Sequence, residues 1–153
     1  MRRDSRLSGA LHVLLHMAER GQPMTSDELA LCMSTNPVVV RRMMAGLREA
    51  GFVQSEKGHG GGWTIACDLK AVSIKDIYDA LGAPTVFALG NRTEAPGCLV
   101  EQALNSALDS AFHDAEALLL ARLGTISLAD LSDDFNRRFA AHRSQSRKKP
   151  RAV

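Results

Sequence analysis

Lys57 and His59 flank the start of a run in which Gly58, Gly60, Gly61 and Gly62 fill four of five consecutive positions. Glycine accepts the positive φ of a tight reversal. The run therefore reads as a strand-to-strand tip, with an ammonium and an imidazole carried where a phosphate backbone could sit. Gly51-Phe52-Val53-Gln54-Ser55 before it and Trp63-Thr64-Ile65 after it have the composition of two short strands, which makes the whole a wing, with Trp63 packing its base. Cys32, Cys67 and Cys98 are too few and too scattered for a disulfide scaffold or a four-ligand zinc site. Cys32 lies between apolar positions and reads as core, and Cys67 is given no role. His12 and His16, four residues apart, suit one helix face, but no third ligand is near in sequence, so they read as a structural or solvated pair and no metal site is expected. No nucleophile with a base, no phosphate loop leading into a helix and no metal triad is recognisable. No catalytic residue is assigned, and the chain is not expected to be an enzyme.

The 153 residues, 45% of them hydrophobic, suffice for one cored domain and an appendage. No apolar run approaches the ~20 residues that span a bilayer, and the N-terminal residues lack a signal-peptide core. The expected location is cytoplasmic. A net charge of +2 conceals a partition. Residues 1–62 hold eight Lys/Arg against six Asp/Glu, residues 63–134 hold four against eleven, and residues 135–153 hold seven against none. Polyanion binding needs a basic surface, so the two ends are better candidates for it than the acidic middle.

The wing needs a scaffold, and the chain before it supplies three helical patterns. Leu7, Leu11, Leu14, Leu15 and Ala18 recur at helical spacing over residues 5–20, and Gly21-Gln22-Pro23 ends the run. Thr25 with Glu28 is a capping-box pattern opening a short second helix through Met33. Asn36 is placed to cap a third, with Pro37 at the first helical position, where its missing N–H costs nothing. Val40, Met43, Met44 and Leu47 share one face of it, Arg41, Arg42 and Arg48 lie elsewhere, and Gly51 closes it. Ser73 and Asp76 open a fourth helix ending at Gly82. Residues 83–97, with Pro84, Gly90, Pro96 and Gly97, read as a linker or effector loop. From Cys98 to Leu123 the longest helical pattern carries Val100, Leu104, Leu108, Phe112, Ala115 and Leu119, with Ala103, Ala107, Ala111 and Ala115 as a small-residue series. So long a helix cannot bury that side against so short a winged domain, and pairing with a second copy is the economical solution. A short helix follows at 127–135, and the basic residues 136–153 are expected to be disordered and to assist DNA association.

With these residues in view, the chain resembles the Rrf-two family of winged-helix transcription regulators, the IscR/NsrR-like proteins. The resemblance covers most of residues 5–135. It rests on the ordered combination of Leu47-Arg48-Glu49-Ala50-Gly51-Phe52-Val53, the wing Gly58-His59-Gly60-Gly61-Gly62-Trp63-Thr64-Ile65, Cys98-Leu99-Val100 and Ile126-Ser127-Leu128-Ala129-Asp130-Leu131. The fold implied is mainly α: a winged helix-turn-helix with a two-stranded wing plus a long C-terminal dimerisation helix. Its divisions are 1–82 for the DNA-binding domain, 83–97 for the linker, 98–135 for dimerisation and 136–153 for the tail.

The resemblance implies a homodimer on double-stranded DNA. Asn36, Val38, Arg41 and Arg42 would meet the major groove, and Lys57 and His59 the minor groove or its phosphates. Elementary chemistry agrees, since Arg donates bidentately to guanine, Val contacts a thymine methyl and a helix N-terminus favours phosphate. A twofold dimer predicts a pseudo-palindromic operator. Iron-sulfur members carry three cysteines at six-residue intervals. Here Val86 and Arg92 replace the first two, Cys98 remains, and Glu101 stands where some members have His. No cluster, and no other cofactor, is expected. Gly9 stands where members usually have an aromatic. The expected function is a sequence-specific homodimeric repressor released by an oxidant or small molecule, with Cys98 the candidate sensor because thiols at helix N-termini can be activated. The alternative is a winged-helix protein-interaction module that does not read DNA.

Overall fold

The computed structural model describes residues 4–87, 91 and 97–148. Its elements run α1 (Arg6–Arg20), α2 (Ser26–Met33), α3 (Pro37–Glu49), β1 (Val53–Glu56), β2 (Gly62–Ile65), α4 (Ile74–Ala80), α5 (Leu99–Gly124) and α6 (Leu128–Lys148). The helix starts are fixed locally. Thr25 accepts from the Glu28 N–H while the Glu28 carboxylate accepts from the Thr25 N–H at 2.8 Å, so two backbone donors that α2 would leave unpaired are satisfied. Ser73 and Asp76 repeat the device on α4, and Ser127 and Asp130 make the same pair of bonds at α6. Each of these carboxyls is held below its ordinary range chiefly by the backbone N–H it accepts; at Glu28 the Arg20 guanidinium adds to this.

The core gathers one face from each of α1 to α4. Val13 and Leu14 meet Leu29, then Val40, Met44 and Leu47, then Ile77, with Val53 from β1 and Leu128 from α6 closing the set. The spacing of Val40, Met44 and Leu47 is that of one helix face, and burial of each stabilises by about 1.5–3 kcal/mol. β1 and β2 pair antiparallel, Val53 opposite Ile65 and Glu56 opposite Gly62. Met24 exchanges backbone hydrogen bonds with Trp63 at 3.0 and 2.8 Å, pinning the wing base to the start of α2. Gly62 makes this approach feasible, because a Cβ there would come within 2.7 Å of the Met24 backbone. Trp63 packs the base of the wing as expected: half-buried, it donates from Nε1 to Ser26 Oγ at 3.0 Å.

The C-terminal third is built differently. α5 packs along α4, and Phe112 meets Phe87 at a ring separation of 6.1 Å, yet none of the residues of α5 is buried. The chain then returns to the domain, where Ile74 N–H donates to Ile126 O and Leu128 N–H to Val72 O, both at 2.9 Å.

Three expectations change or stand only in part. The helix after α5 does not stop near Phe135 and the basic segment is not disordered from 136: α6 continues to Lys148. Asp134 pairs with Arg137 and Arg138 one turn on, and Phe135 stacks on Phe139 at 5.8 Å. Such i,i+3 and i,i+4 contacts sustain a helix where no proline or glycine breaks it. The end of the basic tail, 149–153, lies outside the described residues. Cys32 is exposed rather than core, because eight-residue α2 turns Leu29 and Ala30 inward and leaves Leu31 and Cys32 on its outer side. Of the 83–97 loop, residues 88–90 and 92–96, Arg92 among them, lie outside the described set; Asn91 donates to Asp109 on α5 at 2.9 Å.

Candidate nucleic-acid interface

The second and third helices are joined by a turn of three residues. Ser34 takes the left-handed conformation at φ 50°, and its N–H and that of Thr35 return to carbonyls at the end of α2. Asn36 then caps α3, its side-chain oxygen accepting from the Val38 N–H at 2.8 Å. That bond commits the oxygen of Asn36 and leaves its amide nitrogen to donate outward. With Val40, Met44 and Leu47 fixed in the core, the helical repeat turns Val38, Arg41 and Arg42 to the opposite side, and all three are exposed. Among the described residues no carboxylate pairs with Arg41 or Arg42, whereas Arg20 is held by Glu28 at 2.9 Å and Arg48 lies 5.9 Å over the Trp63 ring. Two guanidiniums thus stand uncommitted on the outer side of α3.

The wing leaves α3 after only three residues. Its tip is formed by Gly58 and Gly60 at φ 97° and 77°, values that an L side chain adopts at a cost, and Gly61 N–H closes the turn on Gly58 O at 3.1 Å. Lys57 and His59 are exposed on it. The fold therefore brings Val38, Arg41 and Arg42 together on one helix side with exposed Asn36 at its N-terminal end, and puts Lys57 and His59 on a separate projection of the same domain. Cys98 belongs to neither. It is exposed at the N-cap of α5, where its side chain makes no capping bond. Burial pushes the Cys67 thiol up, which disfavours a reactive thiolate there.

One residue of this surface escapes sequence reasoning. Val39 is about half exposed although it sits in a continuous run of valines beside buried Val40. Only the register of Asn36 as the cap could have indicated that it faces away from the core. The His12 and His16 rings lie 4.7 Å apart, tilted by 34°, and among the described residues no group of three His, Cys, Asp or Glu side chains is gathered to hold a metal. Cys98 stands at the start of α5 and Val86 in the stretch before it, whereas Cys32 lies on α2 and Cys67 in the bend after β2.

A capped helix presenting unpaired arginines, followed at once by a glycine-tipped wing, defines a winged helix-turn-helix DNA-binding protein. The Rrf2 family model, described as an iron-dependent transcriptional regulator, matches residues 3–134, and the chain belongs to this family of DNA-binding transcriptional regulators. The chain is 29% identical over 128 residues to YwnA of Bacillus subtilis (strain 168), named as an HTH-type transcriptional regulator; the match covers 84% of this chain and 95% of the relative. Among solved structures it is similar to a Lactobacillus plantarum protein described as a transcriptional regulator, with 26% identity and a TM-score of 0.73, over 93% of this chain and 98% of the other. Its fold is also that of T. potens IscR, at 18% identity and a TM-score of 0.65 over 88% of each chain. Among the described residues no helix is long and apolar enough to cross a membrane.

Proposed function

We propose that this regulator acts as a homodimeric repressor whose α3 helices enter successive major grooves of a pseudo-palindromic operator while the wings reach the flanking minor grooves. The observation that carries the reading is the uncommitted pair Arg41 and Arg42 on the outward side of a helix whose inner face is locked in the core. A rigidly seated helix spends little entropy in presenting its side chains, and each bidentate arginine contributes about 1–3 kcal/mol of base discrimination. Asn36 donates from its remaining amide nitrogen, Val38 offers methyl contact, and Lys57 and His59 supply position and salt-dependent affinity rather than sequence information.

Pairing through α5 is supported by the length of apolar side chain it leaves in water. Leu99, Val100, Leu104, Leu108, Leu118 and Leu119 are 38–79% exposed along a helix of roughly 39 Å. A stripe of that length exceeds what a monomer ordinarily exposes, and Ala103, Ala107 and Ala111 between the large residues allow a second helix close approach. The donor set at Cys98 supports regulation without an iron-sulfur cluster or other resident cofactor, in the cytoplasm, with an oxidant or small molecule as the signal and Cys98 as a thiol within its reach. Gene regulation needs no catalytic step.

Binding of the purified protein to fragments of its own upstream region tests the reading. Specific retardation with an even-numbered protomer count is expected, and Arg41→Ala should weaken specific binding about tenfold or more while leaving nonspecific binding nearly unchanged. Equal affinity for all fragments at every salt concentration would sink it.

A further inference from the structure

α3 has a second exposed face beside the one that carries Val38 and Arg41. Val39, Arg42, Met43 and Gly46 recur at i, i+3, i+4 and i+7, and they form one wall of a cleft of about 670 Å³. Ser5 at the N-cap of α1 and Ser8, Gly9 and His12 on it, spaced the same way, form the facing wall. Met33, Ser34 and Thr35 close one end, and Ala80 and Leu81 from the end of α4 the other. Arg42 lies at the border of the two faces and belongs to both.

The lining has a definite chemical character. It includes two guanidiniums and an imidazole, from Arg6, Arg42 and His12, and no aspartate or glutamate. Arg6 is engaged by Asp4 at 2.6 Å, whereas Arg42 has no carboxylate partner among the described residues. Met33, Met43, Val39 and Leu81 provide an adaptable apolar floor. Two glycines let the surrounding elements close in around the cleft. A Cβ on Gly9 would come within 2.7 Å of the Met33 Cε, and one on Gly46 within 3.2 Å of the Ala80 carbonyl oxygen. The volume falls in the range of small-molecule sites, and an unpaired guanidinium and an imidazole in the same lining as an apolar floor favour an organic anion over a neutral or wholly polar ligand.

We propose that this cleft binds a small amphipathic carboxylate, its hydrocarbon body on the methionine floor and its carboxylate on Arg42 and His12, and that the bound ligand withdraws Arg42 from DNA. The first half concerns the free protein; the second rests on the reading of α3 as the DNA-reading helix. The coupling is physical because a guanidinium turned into the cleft to pair with a carboxylate is turned away from a base edge, so the ligand has different affinities for the free and DNA-bound states. It also lies against the Ser34–Thr35 turn that sets the entry of α3.

Titration calorimetry and backbone amide spectra of the full chain, with octanoate and 3-phenylpropionate as probes, test the binding half. Octan-1-ol and inorganic phosphate serve as the neutral and the purely polar controls. Saturable binding of either carboxylate, with shifts centred on residues 9, 12, 33 and 42 and much weaker binding of both controls, is expected; which carboxylate prevails distinguishes a fatty from an aromatic acid. Gly9→Phe should abolish saturation by filling the cleft, and Val39→Trp should do the same from the α3 side should the first variant fold poorly. Arg42→Gln should remove the preference for carboxylate over alcohol. Absence of saturable binding by both carboxylates, equal binding of either control, or undiminished binding in well-folded Gly9→Phe overturns the site. For the regulatory half, a saturating carboxylate should weaken operator binding about tenfold in the wild type and not in Gly9→Phe. Unchanged operator affinity with the ligand bound overturns that half, while failure of the protein to bind any operator is a failure of the DNA reading and leaves the calorimetric result standing.

Discussion

α3 and α5 both carry apolar residues at helical spacing, sharply on one face in α3 and spread broadly in α5, and they meet opposite fates. α3 sinks Val40, Met44 and Leu47 completely into a core shared with α1, α2 and α4. α5, twice as long, buries no residue, and Leu99, Val100, Leu104, Leu108, Leu118 and Leu119 stand in solvent. The difference is one of partners as well as of pattern. A thirteen-residue helix finds enough surface on a small domain to cover one face, whereas a 26-residue helix outruns the domain that carries it. One helix is complete within the chain, and the other is half of something.

The comparison breaks most visibly at α5. Leu104→Asp combined with Leu108→Asp should convert a dimer to a monomer in sedimentation at micromolar concentration, abolish high-affinity operator binding, and leave the melting of the winged domain nearly unchanged, because neither side chain belongs to its core. A dimer that survives both substitutions would place the interface elsewhere. The converse change in the reading helix is Leu47→Ala, which removes a fully buried side chain. A loss of about 2–5 kcal/mol in urea-unfolding stability is expected. If α5 contributes to the same core after all, the two pairs of measurements will move together.

Smaller effects sharpen the division of labour within the reading head. Lys57→Ala should lower affinity similarly for all sequences and reduce the magnitude of the log-log salt slope by about one, unlike Arg41→Ala, which relaxes base preference. The smallest effect concerns the caps that seat the helices. Glu28, Asp76 and Asp130 all titrate below their ordinary values because each accepts a backbone N–H. A carboxyl depressed in the folded state gives stability that is present above its unfolded value and lost as pH falls through its folded value. The melting temperature should therefore hold near neutral pH and fall progressively below about pH 4. Thr25→Ala, which takes away the side-chain half of one cap, should cost about 1 kcal/mol in thermal unfolding.

How much of this was legible in the sequence follows from how local each feature is. The starts of α2, α3 and α4 could be read from Thr25 with Glu28, Asn36 with Pro37, and Ser73 with Asp76, since a cap is made within four residues. The wing was legible because its glycines are required by backbone conformation at the tip itself. The length of α6 was not, because its continuation past Phe135 depends on weak side-chain pairs, Asp134 with Arg138 and Phe135 with Phe139, in a segment whose composition resembles a solvated tail. Cys32 and Val39 were placed on the wrong side or overlooked for a shared reason. In short runs such as Leu29-Ala30-Leu31-Cys32 and Val38-Val39-Val40, nearly every residue is apolar, and periodicity cannot select the inward one.

The sequence by itself determined the order of the elements, the winged helix-turn-helix, the excess of apolar surface on the long helix and the incomplete cysteine pattern around Cys98, because capping chemistry, glycine conformation and ligand counting act over a few residues. Tertiary structure decided which apolar residues reach the core, that α6 runs on to Lys148, and that residues of α1, the α2–α3 turn and the second face of α3 enclose one cleft with Arg42 at its edge. The core and the cleft depend on contacts between residues far apart in sequence, Ser5 and Leu81 in the cleft among them, and the run of α6 on side-chain pairs too weak to be read from composition.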